Sequence, residues 1–282
     1  MELPSPRLHI WQTRFCRSPK IGINMTMTRQ NVVLLGASNL VLGWPNLIRT
    51  LREIIAEPVD LNVAMGMGRS YLKTSAFCFR HLPAIRNCGL WNQLPQDLER
   101  PPYVLITDLG NDIVYRFEPE QIVASVRECL NRIRDWHPDA RIVMTGLPMA
   151  SLASVGRLRF LIARTILFPG CRLSLPQVVE QAHSLEKLAR ELADEFGVPI
   201  VEPEPNWYGL DPIHIVPKFR EAAFARYFAA FGHSPHKQAT EGSPPAALRI
   251  RLPTAAESVR FGSKKTMEQP TFRAEGFTVS AW

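Results

Sequence analysis

Short apolar runs recur through the middle of the chain, separated by longer segments with a different periodicity. The runs are rich in Val, Leu and Ile, which is typical of strands buried on both faces of a sheet. Four clear runs and one shorter candidate predict strands at Val32–Leu35, Val59–Ala64, Tyr103–Leu109, Ile142–Thr145 and Ile200–Val201.

The segments between these runs carry apolar residues at helical spacing. They predict helices at Trp44–Ala56, Pro119–Asp135, Pro176–Phe196 and Pro217–Phe231. Strand and helix therefore alternate, which indicates an α/β fold whose parallel sheet is covered by helices on both faces. In such folds reactive groups lie on the loops that follow the carboxyl ends of the strands, so candidate chemistry is expected there.

Three segments differ in composition. Residues 1–27 have scattered charge and no clear period, and Met25 and Met27 stand just before the first strand, so we expect a disordered extension or a mis-assigned start. Residues 28–234 carry the strand and helix pattern and predict one folded domain. Residues 235–282 are rich in Pro, Ser, Ala, Thr and charge without a sustained hydrophobic period, which predicts a disordered tail.

The net charge of +7 belongs to the two ends of the chain. Residues 1–30 carry five basic residues and one acidic residue, and residues 235–282 carry seven and four. Residues 31–234 hold 21 of each sign. The middle of the chain therefore gives no reason to expect a nucleic-acid site, although a basic tail leaves weak affinity for polyanions open.

Cysteine usage and hydropathy predict the compartment. The five cysteines form an odd set without CxxC spacing, and the first 30 residues contain no apolar run of secretory length. No stretch reaches the roughly 18 apolar residues that a transmembrane helix needs. These features predict a soluble cytoplasmic protein with reduced thiols and no transmembrane segment. His81, His137 and His183 have no ligand-like neighbours in sequence, so neither a metal nor another cofactor is expected.

The turn after the first strand reads Gly36-Ala37-Ser38-Asn39. Gly36 permits a tight turn, and Ser38 then lies at the mouth of the sheet near a helix start, where its N–H suits an anion. Three interpretations of Ser38 stay open at this point: a helix N-cap, which is the common one, a nucleophile, or a phosphate-loop residue. The last is disfavoured because the GxxxxGK[ST] pattern is absent.

The turns after the next two strands also contain small and polar residues. Gly66 and Gly68 let the backbone approach a ligand closely and could supply a second anion donor, or they form an ordinary strand–helix turn. Asn111, at the end of the third strand, can direct its amide at a developing oxyanion. Its Gly-Asn-Asp context is equally good turn chemistry.

A late loop carries Asp211 and His214, three residues apart, before the final helix. The Asp carboxylate can hold Nδ1–H of the imidazole and leave Nε2 to accept a proton from a serine. The plainer interpretation is a helix-entry aspartate beside a surface histidine.

The four motifs stand in a specific order. A serine after strand one, glycine after strand two, Gly-Asn after strand three and Asp-x-x-His before the last helix resembles the SGNH hydrolases, the GDSL esterase and lipase superfamily, from about residue 31 to residue 231. The resemblance implies a flavodoxin-like three-layer α/β/α sandwich with a mostly parallel five-stranded sheet. One departure is Ala37, where the first block of the family usually has Asp, and this puts the subfamily and the substrate in question.

The resemblance assigns the site residues by position. Ser38 matches the nucleophile, and Asp211 and His214 match the acid and base of the triad. The backbone N–H of Ser38, the N–H of Gly68 and the side chain of Asn111 match the oxyanion hole, with Gly66 as the alternative to Gly68.

The function implied is hydrolysis of a small acyl or acetyl ester, lipid or carbohydrate linked, through an acyl-enzyme. An acyltransferase on the same triad and a non-catalytic binding protein are the alternatives. Arg69 and Tyr71, beside the second glycine block, are candidate substrate-binding residues. The segment Ser151–Pro176 is either a lid or acyl-chain wall with cations for an acidic head group, or an ordinary amphipathic crossover, and the second interpretation is favoured.

Overall fold

The computed structural model describes residues 28–55, 58–167, 170–232 and 251–282. The predicted extension at residues 1–27 and the first part of the predicted tail, residues 235–250, lie outside the described residues.

Eleven strands and eight α-helices form in the described residues, with four short 3-10 turns between them. The strands are β1 Gln30–Leu35, β2 Val59–Ala64, β3 Ser75–Phe77, β4 Arg80–Leu82, β5 Tyr103–Ile106, β6 Arg141–Thr145, β7 Ile200–Val201, β8 Glu257–Arg260, β9 Ser263–Thr266, β10 Phe272–Ala274 and β11 Phe277–Ala281. The helices are α1 Ser38–Leu42, α2 Trp44–Ile54, α3 Asn111–Val114, α4 Pro119–Trp136, α5 Met149–Ala153, α6 Arg157–Leu167, α7 Leu175–Phe196 and α8 Arg220–Ala229.

The main sheet has seven strands in the order β10-β11-β2-β1-β5-β6-β7. Every neighbouring pair is parallel except β10 with β11, so the carboxyl ends of β1, β2, β5, β6 and β7 meet at one edge. The predicted α/β fold with a mostly parallel sheet is confirmed. The predicted strand number of five is corrected to seven, because two further strands extend the sheet beyond β2.

Helices cover both faces of this sheet. All six residues of β1 are buried, and alternate side chains enter different cores: Val33 and Leu35 pack with α4 and α7, while Val32 and Leu34 pack with α2 and α8. This arrangement is the predicted three-layer sandwich. Because both faces of the central strands are buried, their sequences are continuous apolar runs rather than alternating patterns.

The two long helices begin and end with recognisable sequence signals. Glu118 before α4 and Ser174 before α7 each form a capping box with a Gln three residues later, and a proline follows in the first turn. Helix α7 ends at Gly197, whose φ of 62° is the left-handed conformation that glycine adopts without cost. These signals explain why the predicted and observed bounds of both helices agree closely.

The prediction of disorder for residues 235–282 is wrong for residues 251–282, which form β8 to β11. Strand β11 pairs in parallel with β2, with Phe277 opposite Val59, and thereby covers an edge that would otherwise be open. Phe277, Val279 and Ala281 are buried and alternate with half-buried Thr278 and Ser280. This period of two was present in the sequence, but the run is short and lies in a segment of polar composition.

A second sheet has four antiparallel strands in the order β3-β4-β8-β9. It combines residues that follow β2 with residues more than 170 positions later in the chain, and its β4–β8 pairing sets His81 opposite Val259. Neither part was predicted to form strands, and the later one lies in the segment that was predicted to be disordered.

Candidate active site

Ser38 lies where β1 turns into α1. The turn is tight because Gly36 packs against the neighbouring strand end: a Cβ at this position would lie 2.5 Å from Cγ2 of Thr107. Ser38 is the first residue of α1 and is only 4% exposed. Its position at the carboxyl edge of the sheet is where α/β folds place reactive groups.

Ser38, His214 and Asp211 form a continuous hydrogen-bonded line. The Oγ atom of Ser38 lies 2.8 Å from Nε2 of His214, and Nδ1 of His214 lies 2.5 Å from Oδ2 of Asp211. Since the carboxylate can only accept, Nδ1 carries a proton and donates it to Asp211, which leaves Nε2 to accept from the serine hydroxyl. Residues 176 positions apart in sequence are thus assembled into one hydrogen-bonded line.

The loop that carries Asp211 and His214 is organised by Asp211 itself. The Oδ1 atom of Asp211 accepts the backbone N–H groups of Ile213 at 3.0 Å and of His214 at 3.3 Å. Burial by itself raises the pKa of the Asp211 carboxyl, but the hydrogen bond from His214 and the two backbone donors outweigh it, so the pKa lies below its ordinary value. Asp211 is therefore a carboxylate at neutral pH, as the tautomer above requires.

A buried aspartate, Asp108, holds the serine turn. Its Oδ2 accepts the N–H of Ala37 at 2.8 Å and the N–H of Asn39 at 3.2 Å, and its Oδ1 accepts the side-chain amide of Asn39 at 2.7 Å. Asp108 itself adopts a φ of +63°, which is uncommon for a residue other than glycine. Burial raises the pKa of its carboxyl, and the three donors oppose that rise.

Asn39 extends this network to the loop that carries Asp211 and His214. Its side-chain amide also donates to the carbonyl of Ile213 at 3.0 Å, and its Oδ1 accepts the N–H of Ile215 at 3.0 Å. These two residues flank His214. Asp108 and Asn39 therefore fix the spacing between the serine turn and the histidine, although neither touches the reacting atoms.

Asn111 presents an unused donor beside this line. It begins α3, is 8% exposed, and its buried Nδ2 has no hydrogen-bond partner among the described residues. A buried polar group without a partner is costly, so such a group is a candidate for binding something that the protein alone does not supply. Ser38 and Asn111 line the same cavity.

Asp112, next to Asn111, has hydrogen-bond partners of its own. It accepts the hydroxyl of Ser70 and, at 2.9 Å, the N–H of Tyr71. Burial raises the pKa of its carboxyl to about 6. These bonds tie α3, and with it Asn111, to the loop that follows β2.

The two glycines of that loop have different surroundings. Gly66 is buried, and a Cβ there would lie 2.5 Å from Cδ1 of Leu82, so it is required for packing. Gly68 is half-buried with a φ of +61°, and its carbonyl accepts the hydroxyl of Tyr115 at 2.5 Å. A residue with a side chain would be strained at Gly68.

Arg69 and Tyr71, predicted as substrate-binding residues, are both fully buried and do not line the cavity, so this prediction is wrong. The guanidinium of Arg69 binds main-chain oxygens of Met65, Pro83 and Trp282. The hydroxyl of Tyr71 lies 2.8 Å from the carbonyl of Thr107, at the end of β5. Sequence position placed both near the site, but arginine is rarely buried this deeply and its burial was not expected.

A cavity of about 110 Å³ opens beside Ser38. Its polar groups lie close to the serine turn and the ends of β5 and β6, where the Thr145 hydroxyl bonds that of Thr107 at 2.9 Å. The rest of its wall is mostly apolar and comes from α3, from the segment α5–α6 and from α7. The apolar lining includes Leu109, Ile113, Val114, Leu147, Pro148, Leu152, Val155, Phe160, Leu175, Val178 and Ala182.

The segment Ser151–Pro176 forms one wall of this cavity through Leu152, Val155, Phe160 and Arg164. The segment therefore lines a cavity, which the favoured interpretation of an ordinary crossover did not include, and its contact with an acyl chain stays a prediction. The arginines of this segment do not all face the cavity. Arg157 is exposed to solvent, and Arg164 donates to the carbonyl of Leu173 at 2.9 Å.

Neither Asn39 nor Asp108 was predicted from the sequence to hold the serine turn. The signal available was position: Asn39 follows Ser38 directly, and Asp108 stands at the end of the third strand. In the described part of the chain, no group of three or more His, Cys, Asp or Glu side chains is placed to hold a metal ion. No helix there is long and apolar enough to cross a membrane.

No family model and no curated protein matches this chain. Solved structures are similar to it at low sequence identity. They include the native aryl esterase of M. smegmatis, at 15% identity over 71% of this chain and 99% of that one with a TM-score of 0.47. Est24, a carbohydrate acetylesterase from Sinorhizobium meliloti, is 15% identical over 71% and 97% with a TM-score of 0.45. The psychrotrophic esterase EstA from Pseudoalteromonas sp. is 10% identical over 72% and 97% with a TM-score of 0.42.

Proposed function

We propose that this protein is a serine hydrolase of the SGNH type that cleaves carboxylic esters through an acyl-enzyme on Ser38. The observation that carries the proposal is the line from Ser38 through His214 to Asp211, with distances of 2.8 and 2.5 Å. An unpartnered amide donor on Asn111 and an apolar cavity adjoin it. The resemblance of the four sequence motifs to the SGNH hydrolases supports the same reading.

Acylation begins when Nε2 of His214 takes the hydroxyl proton of Ser38. The serine oxygen then attacks the ester carbonyl carbon, and Asp211 stabilises the imidazolium that forms. The negative charge moves to the former carbonyl oxygen. His214 returns the proton to the leaving alcohol as the carbon–oxygen bond of the ester breaks, which leaves an acyl group on Ser38.

The oxyanion needs hydrogen-bond donors at the moment it forms. Asn111 supplies its side-chain amide, and the backbone N–H groups of Ser38 and Gly68 complete the set. In deacylation a water molecule gives a proton to His214 and attacks the acyl carbon, and the same donors hold the second oxyanion. His214 then returns the proton to Oγ of Ser38 as the bond between that oxygen and the acyl carbon breaks, which releases the carboxylic acid and restores the serine. Donors fixed by the fold need no reorganisation during the reaction, which is the reason such sites are effective.

The cavity indicates the kind of ester. Because most of its wall is apolar, the acyl group it accepts is a hydrocarbon chain or ring rather than a charged group. An engineered apolar cavity of about 150 Å³ in another protein binds benzene, so a cavity of about 110 Å³ has room for more than an acetyl group.

The test is turnover of p-nitrophenyl esters of two to eight carbons together with labelling by a fluorophosphonate probe. Wild type is expected to hydrolyse the series and to be labelled, and Ser38→Ala to lose labelling and roughly 10⁶ of its turnover, as serine removal does in subtilisin. Ser154→Ala, which changes a serine outside the site, is the matched control. Equal labelling of Ser38→Ala, or no turnover by wild type, would contradict the proposal. Product analysis with added alcohols separates hydrolysis from acyl transfer.

A further inference from the structure

Two hairpin turns in the second sheet have aromatic residues where turns of their type favour Asn and Gly. Cys78 and Phe79 connect β3 to β4 with φ values of 46° and 62°, and Phe261 and Gly262 connect β8 to β9 with 48° and 77°. Two-residue loops with both φ values positive are type I′ turns. A bulky residue is strained in the left-handed region, so turn formation does not explain either phenylalanine.

The two phenylalanines form one protruding apolar pair. Phe79 is 71% exposed and Phe261 is 80% exposed, and their ring centroids lie 5.3 Å apart with an angle of 22° between the rings. The N–H of Phe261 donates to the carbonyl of Phe79 at 3.3 Å, which joins the two tips. Large apolar groups held outward and together are typical of interaction surfaces.

Basic residues surround this pair. Arg80 and Arg260 follow and precede the two turns and stand directly opposite each other in the β4–β8 pairing. Like charges in that arrangement destabilise a sheet, and neither guanidinium forms an ion pair within the described residues. Strand β9 adds Lys264 and Lys265, while Glu257, 3.7 Å from Lys264, is the one acidic residue of these four strands as described. The surface is therefore built to meet negative charge.

The sheet that carries this surface is attached beside the candidate active site. Leu82, at the end of β4, packs on Gly66, and Arg69 binds the carbonyl of the residue after Leu82. Arg80 lines a small crevice together with Val41 and Met65, and Val41 is three residues after Ser38 in the same short helix. Arg80, which directly follows Phe79, therefore lies near the short helix that begins at Ser38.

We propose that the Phe79–Phe261 tip, with Arg80, Arg260, Lys264 and Lys265, docks the protein on an anionic lipid surface. The rings enter the boundary between head groups and acyl chains, and the basic side chains bind the lipid phosphates, which is the combination that interfacial binding requires. A second copy of the chain is the wrong partner because it would bring the same positive charges together. A nucleic acid is disfavoured because the rings stack on each other at a convex tip, whereas single strands bind in grooves with open aromatic faces.

The experiment is sedimentation of the full chain with sucrose-loaded vesicles of phosphatidylcholine alone and of phosphatidylcholine with 30 mol% phosphatidylglycerol. The protein is expected to bind only the anionic vesicles and to be released by high salt. Phe79→Asn with Phe261→Asn is the informative variant. Asn is better suited to positive φ, so the melting temperature should stay the same or rise while vesicle affinity falls about tenfold or more.

The contribution of the basic residues is tested with the double variant Arg80→Gln and Arg260→Gln. Its affinity for the anionic vesicles is expected to fall about tenfold or more. The control Arg52→Gln with Lys187→Gln removes the same charge from exposed sites elsewhere and is expected to bind nearly as wild type. All variants should keep wild-type turnover of a water-soluble ester, and Ser38→Ala should bind vesicles normally, so this proposal and the proposed function can fail separately. Unchanged vesicle binding in the Asn variant, equal binding to neutral vesicles, or binding of an oligonucleotide but not of vesicles would overturn the docking proposal.

Discussion

The two sides of the cavity are built in different ways. On one side, Asp108 and Asn39 join the serine turn to the loop of His214 through hydrogen bonds of 2.7–3.2 Å. On the other side, α6 contributes Phe160 and Arg164 to the wall but leaves Leu158 71% exposed and Ile162 52% exposed. One side is a buried polar network, and the other is an apolar helix with much of its surface in solvent.

This difference separates two tasks. Groups that move a proton must keep their distances within a few tenths of an ångström, which a network of buried hydrogen bonds achieves. A wall that accepts a hydrocarbon chain has no directional bonds to satisfy and needs only apolar contact. We therefore expect substitutions on the network side to lower kcat for every ester, and substitutions on the wall side to change which ester is preferred.

The largest effect on the network side, after loss of Ser38, is expected for Asn111→Ala. Removing an oxyanion donor costs about 10²–10³ in kcat, because the lost bond exists only in the transition state. The measurement is kcat and KM on a short p-nitrophenyl ester, where KM should stay within about threefold. Asn87→Ala, which removes an amide elsewhere, is the control. If kcat is unchanged and only KM changes, Asn111 is not a donor to the oxyanion.

A smaller loss is expected for Asp108→Asn. The amide keeps one acceptor, but in either orientation its NH2 group faces a donor, either the backbone N–H groups of Ala37 and Asn39 or the side-chain amide of Asn39, so the serine turn shifts relative to His214. We expect kcat to fall about tenfold to a hundredfold at nearly constant KM, with a lower melting temperature. Asp60→Asn, near the start of β2, loses its ion pair with Arg29 and is expected to change stability only. Equal kcat in the two variants would show that Asp108 does not position the serine.

The smallest effect is expected on the wall side, for Phe160→Ala. Loss of the ring enlarges the cavity, so the ratio of kcat/KM for an eight-carbon ester to that for a four-carbon ester should rise about threefold to tenfold. Leu158→Ala lies on the same helix but points to solvent, and it should leave the ratio unchanged. If both variants lower kcat/KM by the same factor for every ester, α6 supports the fold and does not select the substrate.

The sequence predicted the parts of the fold that rest on long, regular patterns. The apolar runs of β1, β2, β5 and β6 are unmistakable because both of their faces are buried, and α4 and α7 carry capping signals as well as periodicity. The order of the four motifs likewise placed Ser38, Asn111, Asp211 and His214 at one edge of the sheet, where the structure brings the serine, aspartate and histidine into hydrogen-bond contact and sets Asn111 on the same cavity.

The parts that were missed depend on tertiary contact. Strand β11 exists because β2 offers an open edge, and nothing local in a five-residue run announces that partner. Arg69 was expected to face a substrate because it lies beside the second glycine block, but main-chain oxygens of three residues bind its guanidinium in the interior. The role of Asp108 is also invisible locally, because its three donors come from residues about 70 positions earlier in the chain.

The pairing of β11 with β2 has a consequence for synthesis on the ribosome. Val59 and Phe277 are partners, yet 218 positions separate them, so the sheet can assemble from β1 to β7 well before β11 has been made. During that interval β2 presents unpaired N–H and C=O groups along an apolar edge, which is the type of surface that recruits other strands. The growing chain is thus exposed to mispairing at β2 for most of its synthesis, and completion of β11 ends that exposure.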